Sequence, residues 1–263
     1  MSTENTEQIA NVSPDAILDC ILDMGELLLT SGAEVLRVED TLARLCDAYG
    51  FTKINVFSLT SCIMLTVHCS DMRIITQTRR ISERKTDLQK IALVNALSRE
   101  LCQTPLSVEQ FQSKLSDIQR TKTYSLFAQC FSYALISATF SVFFGGSVWD
   151  GVAAAISGVF VFGIQHFMQK LRMNSILRSL LVSAFTAFAV VLLVRIGIGQ
   201  APEKITIGNI MLLIPGISFT TSLRDIINGD TISGLVGISE AVIKAIAIAI
   251  GFAAVLVEFG GLL

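Results

Sequence analysis

Apolar residues recur at helical intervals near the start of the chain, alternate briefly, and then run almost unbroken to its end. Ser13-Pro14 opens a helix, with proline early, where its missing N–H does no harm. Ile17, Leu18, Ile21, Leu22 and Leu28 share one face of it. Thr30-Ser31-Gly32-Ala33 interrupts the run, and Ser31 with Glu34 has capping-box spacing for a second helix. Val35, Val38, Leu42 and Leu45 recur at helical intervals, with Asp40 and Arg44 spaced for an ion pair. Tyr49-Gly50 ends this helix. Lys53–Ser61, Cys62–His68 and Arg73–Arg79 read as strands, with Ile63, Leu65 and Val67 alternating and Ser70-Asp71 as a turn. Helical patterning returns from Asp87 to Cys102. Ser107 and Gln110 offer a second capping box.

Beyond Tyr124 the pattern changes to long apolar runs. A bilayer-spanning helix needs about 20 such residues. Tyr124–Phe144, Val148–Phe167, Leu177–Ile198 and Leu235–Val257 meet that length, and Ile205–Ile227 meets it only as a broken span. The chain has 52% hydrophobic and 16% charged residues, but the charges concentrate before Lys122. The expected fold is an α-helical polytopic membrane protein of about five transmembrane helices, one broken at Pro-Gly, with an N-terminal α+β cytosolic domain. The expected domains are residues 1–122 and 123–263.

Arg120 and Lys122, then Lys170, Arg172 and Arg178, then Arg224 flank one side of the spans. Asp150 and Glu203 lie on the other, with Arg195 and Lys204 as contrary residues. The positive-inside rule places the N-terminal domain in the cytoplasm. The C-terminus lies outside for an odd number of spans and inside if the broken segment re-enters. The start, Met1 to Gln8, has no secretory-signal pattern.

The broken segment carries the most chemistry. Pro215-Gly216 interrupts an apolar run, and backbone groups freed at membrane depth must find protein, water or a ligand. Such breaks recur at transporter binding sites. The short helix restarting after Pro215 and ending near Asn228-Gly229 has unpaired N–H groups that suit a carboxylate. Ser218, Thr221, Ser222 and Asp225 fall on one face, Thr220 lies nearby, and Arg224 supplies a positive charge. The alternative is a proline kink whose hydroxyls bond back to the helix, with Arg224 among lipid headgroups.

In the last apolar run Gly237, Ala241, Ala245, Ala249 and Ala253 recur every fourth position, a packing stripe. Glu240 and Lys244 lie beside it, either a self-neutralised pair or a charge relay facing a cavity. Each charge at a helix centre costs about 2.5–3.5 kcal/mol on insertion scales.

Enzyme and metal signals are missing. There is no Gly-x-Ser-x-Gly, His-Glu-x-x-His or phosphate-binding glycine loop. The six cysteines form no Cys-x-x-Cys pair and read as reduced, packed thiols. His68, alone on a strand, reads as structural. Glu34, Arg37, Glu39 and Asp40 form either a site or a solvated helix face. No basic patch with interleaved aromatics suggests nucleic acid. No cofactor or metal is expected.

Ser31-Gly32-Ala33-Glu34 with Arg37-Val38-Glu39-Asp40, Trp149-Asp150-Gly151, Pro215-Gly216, Arg224-Asp225, Gly229-Asp230, Ser233-Gly234 and Glu240-Ala241 together resemble the threonine/serine exporter family of bacterial membrane proteins, in its split form. Ser218 stands where that family often has a second proline, and Thr221 where it often has asparagine. The resemblance implies a secondary transporter in the bacterial cytoplasmic membrane, exporting threonine and serine or dicarboxylates such as succinate. It implies a smaller membrane subunit as partner, encoded elsewhere, and an oligomer in the lipid bilayer. Ser218, Thr220, Thr221, Ser222, Arg224 and Asp225 become the candidate substrate residues, and Asp150, Glu240 and Lys244 the candidate coupling residues. The rivals are a structural or regulatory subunit, with transport chemistry in the partner, and a membrane-anchored enzyme.

Overall fold

The computed structural model describes residues 13–82, 85–121, 124–171 and 173–259. The chain forms two compact units, one of Met1–Lys122 with Ile217–Ile238 and the other of Thr123–Gly216 with Ser239–Leu263. Residues 217–238, which the sequence pattern assigns to the transmembrane part, thus cluster with the N-terminal residues. Lys122 and Arg172, used for orientation, and the start of the chain used to exclude a signal lie outside the described residues.

The first unit begins with α1 (Pro14–Thr30) and α2 (Val35–Ala48). Three strands follow: β1 (Thr52–Leu59), β2 (Cys62–His68) and β3 (Ile74–Arg80). They pair antiparallel in sequence order, with Val56 opposite Leu65 and Met64 opposite Thr78. Ile63, Leu65 and Val67 point into the core and Met64 points out, as the alternation predicts. Helices α3 (Leu88–Gln103) and α4 (Val108–Gln119) complete the N-terminal residues. All five apolar residues expected on one face of α1 are buried. Arg79 holds the sheet to α1 through Asp19 and Asp23, both at 3.1 Å. The Asp40–Arg44 pair forms at 2.8 Å on the exposed face of α2. Ser107 caps α4 by accepting the Gln110 N–H at 3.4 Å.

Ser31 does not cap α2. The N-cap is Glu34, and it makes no side-chain cap bond. Ser31-Gly32-Ala33 instead ends α1. Gly32 has φ +89°, its N–H donates to Leu29 O, and the Ala33 N–H donates to Leu28 O, both at 3.0 Å. This is the Schellman stop, which needs a left-handed residue after the helix.

The second unit contains α5 (Leu126–Phe143), α6 (Val148–Gln169), α7 (Ser175–Arg195), α8 (Pro202–Leu213) and most of α10 (Thr231–Phe259). Helices α5, α6, α7 and α10 are each long and apolar enough to cross a membrane. Helix α8 and α9 (Gly216–Ile227) pass that test only together, as a broken span or a re-entrant loop. Each has 12 residues, about 18 Å of helix against a hydrocarbon core of about 30 Å. Ile214 and Pro215 lie outside both helices. Phe127, Phe160, Phe185 and Leu192 are exposed, a surface suited to acyl chains.

The small-residue stripe on α10 packs only in part. Gly237 and Ala241 are buried, whereas Ala245, Ala249 and Ala253 are exposed. Each step of four residues turns about 40° past a full helical turn, so the stripe drifts off its face. The buried face continues instead through Ala247, Ile248, Gly251 and Phe252.

Candidate functional site

The first unit brings two distant stretches of the chain together. Helix α2 begins without its own side-chain cap, so its first N–H groups need acceptors. Asp225 of α9 supplies one: its Oδ1 accepts the Val35 N–H at 3.2 Å, across 190 positions of sequence. Asp225 is 1% exposed. A carboxylate suits a helix N-terminus because the N–H dipoles there point outward. Next to it, Arg224 pairs with Glu34. The break segment therefore meets the start of α2 through consecutive residues: Asp225 caps it by accepting the Val35 N–H, and Arg224 pairs with the Glu34 side chain.

Helix α9 is itself ended by the same device as α1. Gly229 has φ +101°, its N–H donates to Ile226 O at 3.0 Å, and the Asp230 N–H donates to Asp225 O at 2.9 Å. The chain then turns into α10, whose first turns lie close against α9. A Cβ at Gly234 would stand 2.4 Å from Ile226 Cγ1 and 2.6 Å from Ser222 O, and one at Gly237 would stand 2.0 Å from Ser222 Oγ. Glycine is needed at both positions for this approach. Gly234→Val is accordingly expected to push α10 off α9 and lower the yield of folded protein. Overpacking of this kind costs about 1–3 kcal/mol, and size-exclusion profiles and thermal unfolding of the purified variant measure it.

The remaining candidate substrate residues are placed as follows. Ser218 and Thr220 are exposed. Thr221 Oγ1 donates back to Ile217 O at 2.9 Å. Ser222 is buried against Gly237. The structure thus does not gather all six around one point. Arg224 and Asp225 face the start of α2, and Thr221 makes the back-bond that the kink alternative foresees.

Glu39 lies one turn beyond the α2 start. Its Oε1 accepts the Ser58 N–H of β1 at 2.7 Å. Burial pushes its carboxyl above the usual value of 4.5, the Ser58 N–H offsets part of that, and the charge of Asp230 adds to the rise. Asp230 Oδ2 and Ser58 Oγ are both buried without a hydrogen-bond partner. The sequence pattern singled out Glu34 and Glu39 but gave Asp230 no role, because only the fold puts the α9–α10 turn near α2.

The candidate coupling residues lie apart from one another in role. Asp150 is 2% exposed. Its Oδ2 accepts from Ser147 N and Ser147 Oγ, both at 2.7 Å. Its Oδ1 accepts from Gln200 N at 2.7 Å and Ala201 N at 2.9 Å. It fastens the α7–α8 connection to the start of α6. Glu240 is exposed and Lys244 half-buried, and among the described residues the two form no ion pair.

The sequence reading missed a polar seam inside the second unit. Asn209 of α8 is fully buried and accepts from Ser137 Oγ of α5 at 2.9 Å. Its amide donates to Ser157 Oγ of α6 at 2.6 Å and to Ile205 O at 2.9 Å. Nearby, Ser141 Oγ and Thr206 Oγ1 are buried without partners. Close packing goes with it, since a Cβ at Gly208 would lie 2.4 Å from Ser137 O. Asn209 inside an apolar run was the available signal, because polar groups in spans seek protein partners.

A set of apolar helices, one of them interrupted at a proline, together with an N-terminal α+β region, defines a polytopic helical membrane protein. The chain belongs to the threonine/serine exporter family: the family described as "Putative threonine/serine exporter" matches residues 19–258. It is similar to the "Probable threonine/serine exporter" of Mycobacterium tuberculosis (strain ATCC 25618 / H37Rv), with 20% identity over 237 residues, covering 89% of this chain and 45% of that protein. The chain spans about half the length of that relative. No solved structure matches it.

Proposed function

We propose that this chain exports small amino or carboxylic acids from the bacterial cytoplasm, driven by an ion gradient, as the larger subunit of a two-component exporter. Family membership and the relative's name support threonine and serine as substrates. Dicarboxylates such as succinate remain candidates through the split form that the sequence resembles. The observation that carries the reading is the meeting of two signature stretches at the start of α2, where Asp225 accepts the Val35 N–H and Arg224 pairs with Glu34. A break helix held by an N-terminal domain gives that domain a hold on a transport element. On this reading the N-terminal domain is cytoplasmic, Ser218, Thr220, Thr221 and Ser222 meet substrate, and Arg224 and Asp225 change partners as it passes. Glu240 and Lys244, unpaired with each other, are available to a second subunit or to a water-filled path.

The test is efflux from proteoliposomes loaded with labelled threonine, serine and succinate, with and without the smaller subunit, under an imposed proton gradient. Export of at least one of them, above protein-free vesicles, is expected. Efflux of none of them defeats the reading. A second reading, a regulatory subunit with the transport chemistry in the partner, is favoured by the engagement of Arg224 and Asp225 with α2. It predicts undiminished efflux when Ser218 and Thr220 are replaced by alanine in folded protein.

A further inference from the structure

The three-stranded sheet of the first unit has two edges, and they differ. On β1 the Ser58 N–H points away from β2 and donates to Glu39 Oε1 of α2 at 2.7 Å. On β3 the direction of each backbone group follows from the bonds that bracket its ladder. The Cys69 N–H donates to Arg73 O at 2.9 Å, and the Ile81 N–H donates to Ser61 O at 2.8 Å. Bonded and open pairs alternate along an antiparallel ladder. Val67–Ile75, Leu65–Gln77 and Ile63–Arg79 are therefore the bonded pairs between those ends. Ile74, Thr76, Thr78 and Arg80 turn their N–H and C=O groups outward, and among the described residues no group bonds to these backbone atoms.

Such an edge is a template for another strand, and folded proteins commonly blunt it with proline, a bulge or an uncompensated charge. Residues 74–80 hold no proline. The β2–β3 register runs without a shift, whereas β1–β2 has one between Thr52 and Asn55. The charge of Arg79 is held by Asp19 and Asp23. Ile74, Ile75, Thr76 and Thr78 all favour pairing.

We propose that β3 pairs antiparallel with β3 of a second copy of this chain, about a two-fold axis at Gln77, joining two first units through one continuous sheet. The parity of the strand allows it. With Gln77 facing Gln77, Thr76 faces Thr78 of the second copy and Ile74 faces its Arg80, so every outward-turned residue meets another. This adds about eight backbone hydrogen bonds, two for each facing pair. No like charges stand opposite each other, since Arg79 faces Ile75 and Arg80 faces Ile74, and facing threonines favour the pairing.

The midpoint of the strand carries a second, independent observation. Gln77 Oε1 is buried and has no hydrogen-bond partner, an unfavourable state for a carbonyl oxygen. On the axis Gln77 lies at an open pair, where facing Cα atoms approach to about 4.5 Å, and the amide of the second Gln77 brings N–H donors. A strand from another protein would fill the backbone bonds of the edge, but it would meet the orphaned oxygen only by chance of sequence. A second copy meets it by symmetry. The pairing does not rest on the export reading.

Cysteine cross-linking of the full chain in its membrane tests the pairing. The background is Cys62→Ser, Cys102→Ser and Cys130→Ser, which removes the half-buried thiols. Gln77→Cys is expected to give a disulfide-linked dimer under mild oxidation. Ile74→Cys, on the same strand but about 20 Å from its own copy in this register, is expected to give none. Equal dimer yields from the two, or none from Gln77→Cys, overturn the pairing. Thr78→Pro removes an outward N–H and leaves the bonds to β2, a position where a strand edge tolerates proline. Native mass spectrometry in detergent should show pairs for wild type and single copies for this variant, with thermal unfolding reporting that it is folded. Gln77→Glu sets two like charges face to face and is expected to lower the paired fraction at neutral pH, which keeps the test decisive if the proline variant does not fold. Folded variants that stay paired, or a wild type found only as single copies, overturn the interface. A Gln77→Cys cross-link to a co-expressed smaller membrane subunit instead of to itself overturns the second copy as the occupant.

Discussion

Asp225→Ala is expected to loosen the start of α2 and to abolish most efflux. Its Oδ1 accepts the Val35 N–H where α2 has no side-chain cap of its own. Loss of such a cap costs about 0.5–2 kcal/mol. Because Asp225 is buried, the amide it leaves behind also loses ready access to water. Asp225→Asn keeps an oxygen for Val35 but removes the charge from the helix N-terminus, which is worth about 0.3–1 kcal/mol, so it should be the milder variant. Glu34→Gln should cost less still in stability, because Arg224 is largely exposed in that pair and such pairs contribute about 0–1 kcal/mol. Amide hydrogen exchange at Val35 and Leu36 and the thermal midpoint order the three. A compensating change separates capping from transport. Glu34→Ser gives α2 a local cap, so Asp225→Ala should lose less stability in that background. If efflux returns as well, Asp225 serves by holding α2. If stability returns and efflux does not, Asp225 also acts on the substrate.

The elements of the first unit were legible because buried residues set their period. Ile63, Leu65 and Val67 alternate on a half-buried strand, and the apolar residues of α1 repeat along one face. The break at Pro215 was legible because proline cannot continue a helix without losing a hydrogen bond. The destination of the break segment was not. The Asp225–Val35 bond joins residues 190 positions apart, and no local pattern encodes such a partner. Ser31 misled for a definable reason: serine three residues before glutamate fits an N-cap, but Gly32 in the left-handed region ends the preceding helix first. The Asn209 seam was hidden because Ser137 and Ser157 fit helix-packing and hydrogen-bonding roles alike, and sequence alone does not join three different helices. The α10 stripe failed through arithmetic: a period of four drifts on a helix of 3.6 residues per turn.

Asp150→Ala is expected to be the most damaging single change in the second unit, through folding rather than through coupling. Four donor contacts converge on its carboxylate: the N–H and hydroxyl of Ser147 and the N–H groups of Gln200 and Ala201. Alanine leaves the Gln200 and Ala201 amides without this acceptor and removes half of the reciprocal cap at the start of α6. Both bonds are only part-buried, so the loss falls toward the low end of the about 1–3 kcal/mol that an unsatisfied buried donor costs. Nothing near can replace the carboxylate easily, since a Cβ at Gly199 would already lie 2.7 Å from Ile205 Cδ1 and 3.3 Å from Asp150 Oδ1. Asp150→Asn should be intermediate, because its carbonyl can serve Gln200 and Ala201 or Ser147 but its amide then faces donors on the other side. Yield of monodisperse protein and thermal unfolding in detergent measure the order alanine, asparagine, wild type. A proton carrier predicts something else: asparagine would fold like wild type yet export at a rate indifferent to the proton gradient. The crowd of donors favours the first outcome, since a group that passes a proton each cycle must repeatedly give up partners that here hold the α7–α8 connection in place.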